Sequence, residues 1–131
     1  MSYATTTNAR RGDRYRETAV LSATPGELVI LVYDHLLTSL LRGRQAMVAN
    51  NLDARHTEFS RARDAVAELL GTLDRERGGQ VASQLSGLYT FFLRELTTLG
   101  VQPDLARLDR VIAMVRDLRE AFTAIQQGAV K

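Results

Sequence analysis

The run from Thr24 to Leu41, TPGELVILVYDHLLTSLL, constrains the fold most: it opens as a helix, then carries more apolar surface than one core-facing stripe requires. Thr24 is a capping residue, and Pro25 suits the first helical position, where its missing N–H has no intrahelical partner to lose. Glu27 completes a capping box with Thr24. At roughly 100° per residue, Val29, Ile30, Tyr33, Leu36, Leu37, Leu40, Met47 and Val48 share one broad stripe that can dock on a core. Leu28, Leu31 and Val32 fall on roughly the opposite side, so the first two turns are apolar nearly all round. Such a surface needs a second cover. Another segment of the same chain is one candidate and a partner is the other; both are open on the pattern alone.

Three more amphipathic segments follow. Breaks are expected at Asn50-Asn51 and Gly78-Gly79, and Pro103 stands where a helix can start. The first helix is expected over Pro25 to Ala49 and the second from near Asp53 to Arg77. The second carries Phe59, Ala62, Val66, Leu69, Leu70 and Leu73 on one side, with Arg55, Glu58, Asp64, Glu68 and Arg75 outward. The third, about Gln80 to Leu99, aligns Val81, Leu85, Leu88, Phe92, Leu96 and Leu99, with Tyr89 and Leu93 broadening the stripe and Phe91 well off it. The fourth, from Pro103 or Asp104 to about Gln127, aligns Leu105, Leu108, Val111, Ile112, Val115, Leu118, Phe122 and Ile125, with Met114 and Ala121 on one flank. Four long helices on short connections predict an all-α fold, an antiparallel up-and-down four-helix bundle over residues 19–128. Residues 1–18, polar and rich in Thr and Arg, are expected to form a short, mobile N-terminal arm.

The chain's 131 residues suit one domain that needs no staple, and it has no cysteine for a disulfide, a thiolate nucleophile or a zinc-thiolate site. The net charge is only +2. Arg10, Arg11, Arg14 and Arg16 cluster in the arm, but Asp13 and Glu17 interrupt them, so a solvated tail is expected and no nucleic-acid partner. No apolar leader stretch opens the sequence, and Tyr33, Asp34, His35, Thr38 and Ser39 interrupt the apolar run, so neither membrane insertion nor export of this chain is expected. A soluble, cytoplasmic protein is the expectation.

Catalytic patterns are missing. His35 and His56 are the two histidines, and neither has Glu three residues before it, so the inward Glu-x-x-His pairs of a diiron bundle cannot form. Asp34 and His35 are adjacent, which places them about 100° apart on a helix and leaves them as solvent-facing groups, not an acid/base pair. There is no phosphate-binding G-x-x-x-x-G-K-[ST] loop and no G-x-S-x-G elbow. The expectation is no enzyme, with no catalytic residue, cofactor or metal.

Ala23-Thr24-Pro25-Gly26-Glu27-Leu28 followed by Leu31-Val32-Tyr33-Asp34 resembles the signature of the flagellin-specific export chaperones, the FliS family. Gly78-Gly79-Gln80-Val81-Ala82 with Leu85, Leu88 and Tyr89-Thr90-Phe91 is similar to that family's third-helix motif. Val111 with Leu118-Arg119-Glu120-Ala121-Phe122 is similar to its closing one. The likeness runs from about Tyr15 to Ile125. Departures are His35 for a usual glycine, Phe122 where tryptophan is frequent and Phe91 for a frequent tyrosine; all but His35 keep bulk and apolarity.

The resemblance implies a cytoplasmic, cofactor-free bundle that binds the C-terminal segment of new flagellin, blocks premature polymerisation and escorts it to the flagellar type III export apparatus. A helical regulatory adaptor for another amphipathic client is the alternative, and a homodimer through an uncovered apolar face stays open. From spacing, the partner-binding candidates are Leu28, Leu31, Val32, Phe91 and Met114. Tyr15 and Val20 are candidates to cover a groove in the free protein.

Overall fold

The computed structural model describes residues 23–130, which form four helices. These are α1 (Pro25–Val48), α2 (Leu52–Gly71), α3 (Arg75–Val101) and α4 (Leu105–Val130). No strand occurs among the described residues, and the all-α bundle read from the sequence is the fold observed.

Side-chain caps set the helix starts. Thr24 Oγ1 accepts from the Glu27 N–H at 3.2 Å and donates to Glu27 Oε1 at 3.1 Å, closing the first turn of α1. At the other end Asn50 takes a left-handed φ of 54°, which asparagine tolerates. Asn51 Oδ1 then accepts from the Ala54 N–H at 3.1 Å and starts α2.

The next boundary departs from expectation. Helix α2 ends at Gly71 rather than Arg77, and α3 begins at Arg75 rather than Gln80. The cause is Asp74, whose Oδ1 accepts from the Glu76 and Arg77 N–H groups at 3.2 and 3.1 Å. An aspartate cap outcompetes a downstream glycine pair as the point of initiation. Gly78-Gly79 instead forms a kink inside α3, with Gly79 at φ 52°, ψ −125°. Asp104 Oδ1 caps α4 through the Arg107 N–H at 3.1 Å.

The helices form a ring in chain order. Helix α1 packs extensively on α2 and substantially on α4, and α2 packs on α3; α3 and α4 touch least of these neighbours. Small residues bring α1 and α2 close together: Ser39, Gly43 and Ala46 are buried on α1, and Ala62 and Ala65 on α2. A Cβ at Gly43 would lie 2.8 Å from the Phe59 ring. The α1–α4 seam holds one antiparallel register through three polar contacts. Gln126 reaches Thr24 Oγ1 at 3.4 Å, Arg119 pairs with Asp34, and Arg44 Nε donates to Asp109 Oδ1 at 2.7 Å.

The core is built from the expected stripes: Tyr33, Leu36 and Leu40 of α1, Phe59, Val66 and Leu69 of α2, Tyr89, Phe92, Leu96 and Leu99 of α3, and Leu108, Val111 and Val115 of α4. Each buried large side chain contributes on the order of 1.5–3 kcal/mol by leaving water. The stripe ends depart from expectation. Val48, Val81 and Ile125 are 61%, 64% and 67% exposed: Val48 is the last residue of α1, and Val81 and Ile125 belong to α3 and α4, which pack on one another least.

Glu58 is buried rather than outward, since it shares the i, i+4, i+7, i+11 row of Ala62, Ala65 and Leu69. Its Oε1 accepts from Arg61 at 3.0 Å. Arg55, also expected outward, is half-buried and donates to the Gly100 carbonyl at 3.3 Å.

Candidate partner-binding surfaces

The candidates on α1 divide between two rows. Leu28 and Val32 precede Ser39, Gly43 and Ala46 on the row that faces α2, and Val32 packs partly against the central core. Leu31 starts a different row, followed at i+4, i+7 and i+11 by the exposed His35, Thr38 and Arg42. Leu28 and Leu31 are half-buried without belonging to the layer packed on the core. The same chain therefore covers Val32 in part, and Leu31 is half-buried as well, at the head of a row whose later members are exposed.

Phe91 and Met114 come from the two helices of the opposite seam. Phe91 is 40% exposed and leans on Phe92 with ring centroids 6.0 Å apart. Met114 is half-buried against the core. One end of this α3–α4 seam is held by Glu95 and Arg107, whose guanidinium meets both carboxylate oxygens. Two turns from that pair on each antiparallel helix lie Leu88 and Met114, which the register places opposite one another. Beyond them Val81 and Ile125 extend the apolar lining of the same seam.

Their spacing alone places Val81 and Ile125 with the core. A stripe reports the direction of a side chain and not how closely the facing helix packs on it, so nothing in the sequence marks these two off. On the α1–α4 side, Val48 and Leu105 are exposed at the same height, one turn beyond the Arg44–Asp109 pair.

Asp34 and His35 form no acid/base pair. The Asp34 carboxylate, 45% exposed, is paired with Arg119 across the α1–α4 seam, and His35 is exposed. Tyr33 and Tyr89 are the most deeply placed titratable groups, and burial above all pushes both hydroxyls up from the ordinary tyrosine value. Among the described residues no three His, Cys, Asp or Glu side chains gather in a way that could hold a metal ion. No helix of those residues is long and apolar enough to cross a membrane. Tyr15 and Val20 lie outside the described residues.

A helical bundle with apolar side chains left at its surface has the features of a binding protein that takes up polypeptide segments. Residues 7–129 match the family model of the flagellar protein FliS, and the chain belongs to that family. It is 29% identical to the flagellar secretion chaperone FliS of Salmonella typhimurium, over 86% of this chain and 84% of the relative. Identity to the flagellar secretion chaperone FliS of Campylobacter jejuni is 30%, over 80% of this chain and 82% of the relative. For the protein of that name in Bacillus subtilis it is 26%, over 89% and 86%.

Proposed function

We propose that this chain is a flagellar secretion chaperone whose client is flagellin, with the bundle of residues 19–128 as its working unit. It holds the C-terminal segment of flagellin in the cytoplasm, keeps it from polymerising early and delivers it to the flagellar export apparatus. Family membership and the names of the relatives support the chaperone role. The observation that carries the client class is the surplus of apolar side chains, Phe91, Val81 and Ile125 among them, left at the surface of a bundle whose core is already filled.

A segment that is disordered when free can fold as helices on such surfaces, offsetting its ordering entropy with buried apolar area. Capture of this kind is binding chemistry and needs no catalytic group. Leu31 and the α3–α4 seam lie on opposite sides of the ring, so a single client that uses both must pass around the bundle.

Leu31→Asp tests the reading. Leu31 is half-buried, outside the layer packed on the core and at the head of an otherwise exposed row of α1. A charge there keeps access to water in the free protein and becomes buried and unpaired beneath a client helix. Isothermal titration with flagellin's C-terminal segment is expected to give about one-to-one binding with a negative heat-capacity change. The variant loses on the order of 1 kcal/mol or more, about tenfold, with little change in melting. Absence of wild-type binding at high micromolar segment rejects the client.

A further inference from the structure

The fully buried core stops at one level on all four helices. Toward the α1–α2 connection, Leu36, Val66 and Phe92, which follow Tyr33, Leu69 and Tyr89, are 0% exposed, as is Val115 of α4. In the other direction Val32, Leu73, Leu85, Leu118 and Phe122 pack on that core yet are only half-buried. The Tyr33–Tyr89 hydroxyl pair and the Asp34–Arg119 ion pair lie at this boundary.

Helix α3 is the least secured wall of the half-buried layer. Gly79, at φ 52° and ψ −125°, interrupts it, so the turns that follow are not continuous with the one Asp74 caps. Gly87 is a second poor helix former, and open space surrounds it where a Cβ would stand. On the far side of Tyr89, α3 is held by Glu95 on Arg107 and by the Gly100 carbonyl on Arg55. Helices α3 and α4 also pack on one another least of the neighbouring pairs.

We infer that residues 75–88 of α3 are a cover that opens as a local unit, hinged at Tyr89, while the rest of the bundle stays folded. The opening stops at Tyr89 because carrying it away would leave its own hydroxyl and that of Tyr33 unpaired. In the register that sets Leu88 opposite Met114, Gln84 stands at the height of Leu118. Withdrawing the cover therefore bares Leu118 and, one turn on, Phe122. The opening needs no client and goes beyond the reading above. A client that uses the bared residues binds with an apparent affinity lowered by the fraction of molecules that are open.

The chain has no cysteine, so one introduced thiol reports the exposure of its own position. Ala82 lies in the cover and Val66 in the core beyond the boundary, and they are 4% and 0% exposed. Ala82→Cys and Val66→Cys, each in the full chain and checked by melting, are reacted with an aromatic disulfide reagent. The thiol at position 82 is expected to react at least about tenfold faster, at a rate nearly flat in dilute urea. The rate at position 66 is expected to climb with urea, because it needs global unfolding. Adding Ile112→Val, a mild loss in the core beyond the boundary, is expected to speed position 66 about two- to tenfold and leave position 82 unchanged. Adding Gly87→Ala is expected to slow position 82 about two- to fivefold.

Equal rates with equal urea dependence at the two positions mean one cooperative unit and overturn the inference, as does an Ile112→Val change that speeds both alike. A rate at position 82 that Gly87→Ala leaves unchanged overturns it too, since that thiol is then reached without any loss of helix.

Discussion

The hydroxyls of Tyr33 and Tyr89 meet at 2.5 Å inside the bundle, joining α1 to the helix diagonally across from it. The Phe122 ring lies against Tyr33 at 5.4 Å between centroids, so the polar contact is enclosed by aromatic carbon. An apolar core tolerates many small shifts of one helix against another; a hydrogen bond between two buried hydroxyls tolerates few, because sliding leaves both without a partner.

Changing one partner therefore costs more than changing both. Tyr33→Phe or Tyr89→Phe leaves a lone buried hydroxyl and is expected to cost about 1–3 kcal/mol. The double variant should lie well below the sum of the singles, and a double-mutant cycle by chemical denaturation measures the coupling.

The same pair sets an alkaline limit. Both hydroxyls ionise above the ordinary tyrosine value of 10.0, chiefly because burial disfavours the phenolate. Above that value the unfolded chain loses these protons while the folded one keeps them, so stability is retained below about pH 10 and falls as pH rises beyond it. Ultraviolet titration is expected to find both phenols un-ionised where free tyrosine has titrated, and denaturation at rising pH should follow the predicted loss. Tyr33→Phe should reduce the slope.

Two glycines in helices respond in opposite senses to alanine. At Gly43 the new methyl meets the Phe59 ring at 2.8 Å, and the overpacking is expected to cost about 1–3 kcal/mol. At Gly87 nothing lies within 4 Å, so alanine there is expected to stabilise by roughly 0.4–1 kcal/mol through the unfolded state. Melting curves of the two variants distinguish a close helix contact from an idle position.

The arm gives a fourth prediction, for residues that lie outside the described ones. Residues 2–14 carry few apolar side chains, so their deletion is expected to leave the melting temperature nearly unchanged. If Tyr15 and Val20 cover a client groove, deletion through Val20 should tighten or preserve binding of flagellin's C-terminal segment. A large loss of affinity with the fold intact would make the arm part of the binding site.

Helix number and core composition were legible because 3.6-residue periodicity reports burial directly: Phe59, Leu96 and Val115 sit where their stripes place them. Local cap chemistry was half legible. The capping box at Thr24 is plain in the sequence, whereas Asp74 is overshadowed by the more conspicuous Gly78-Gly79. Pairings between helices were not legible, because Tyr33–Tyr89 and Asp34–Arg119 depend on axial register, which a stripe does not encode. The same reason explains Val48, Val81 and Ile125: periodicity tells which way a side chain points and not whether a neighbouring helix packs closely there. Leu31 and Phe91 were separable from the core stripe by angle, whereas their placement on opposite sides of the ring required the chain's path.

The contrast between the alanine- and glycine-lined α1–α2 contact and the thinly joined α3–α4 side gives the molecule two mechanical halves. Backbones held close by Gly43 against Phe59 have little room to breathe, so amide protons along α1 and α2 should exchange with solvent slowly and together. Exchange should be faster where α3 leaves Gly79, and that end should open without melting the rest. Adaptation to differently shaped cargo then falls to one side of the protein, while the other keeps its form from one cycle of loading to the next.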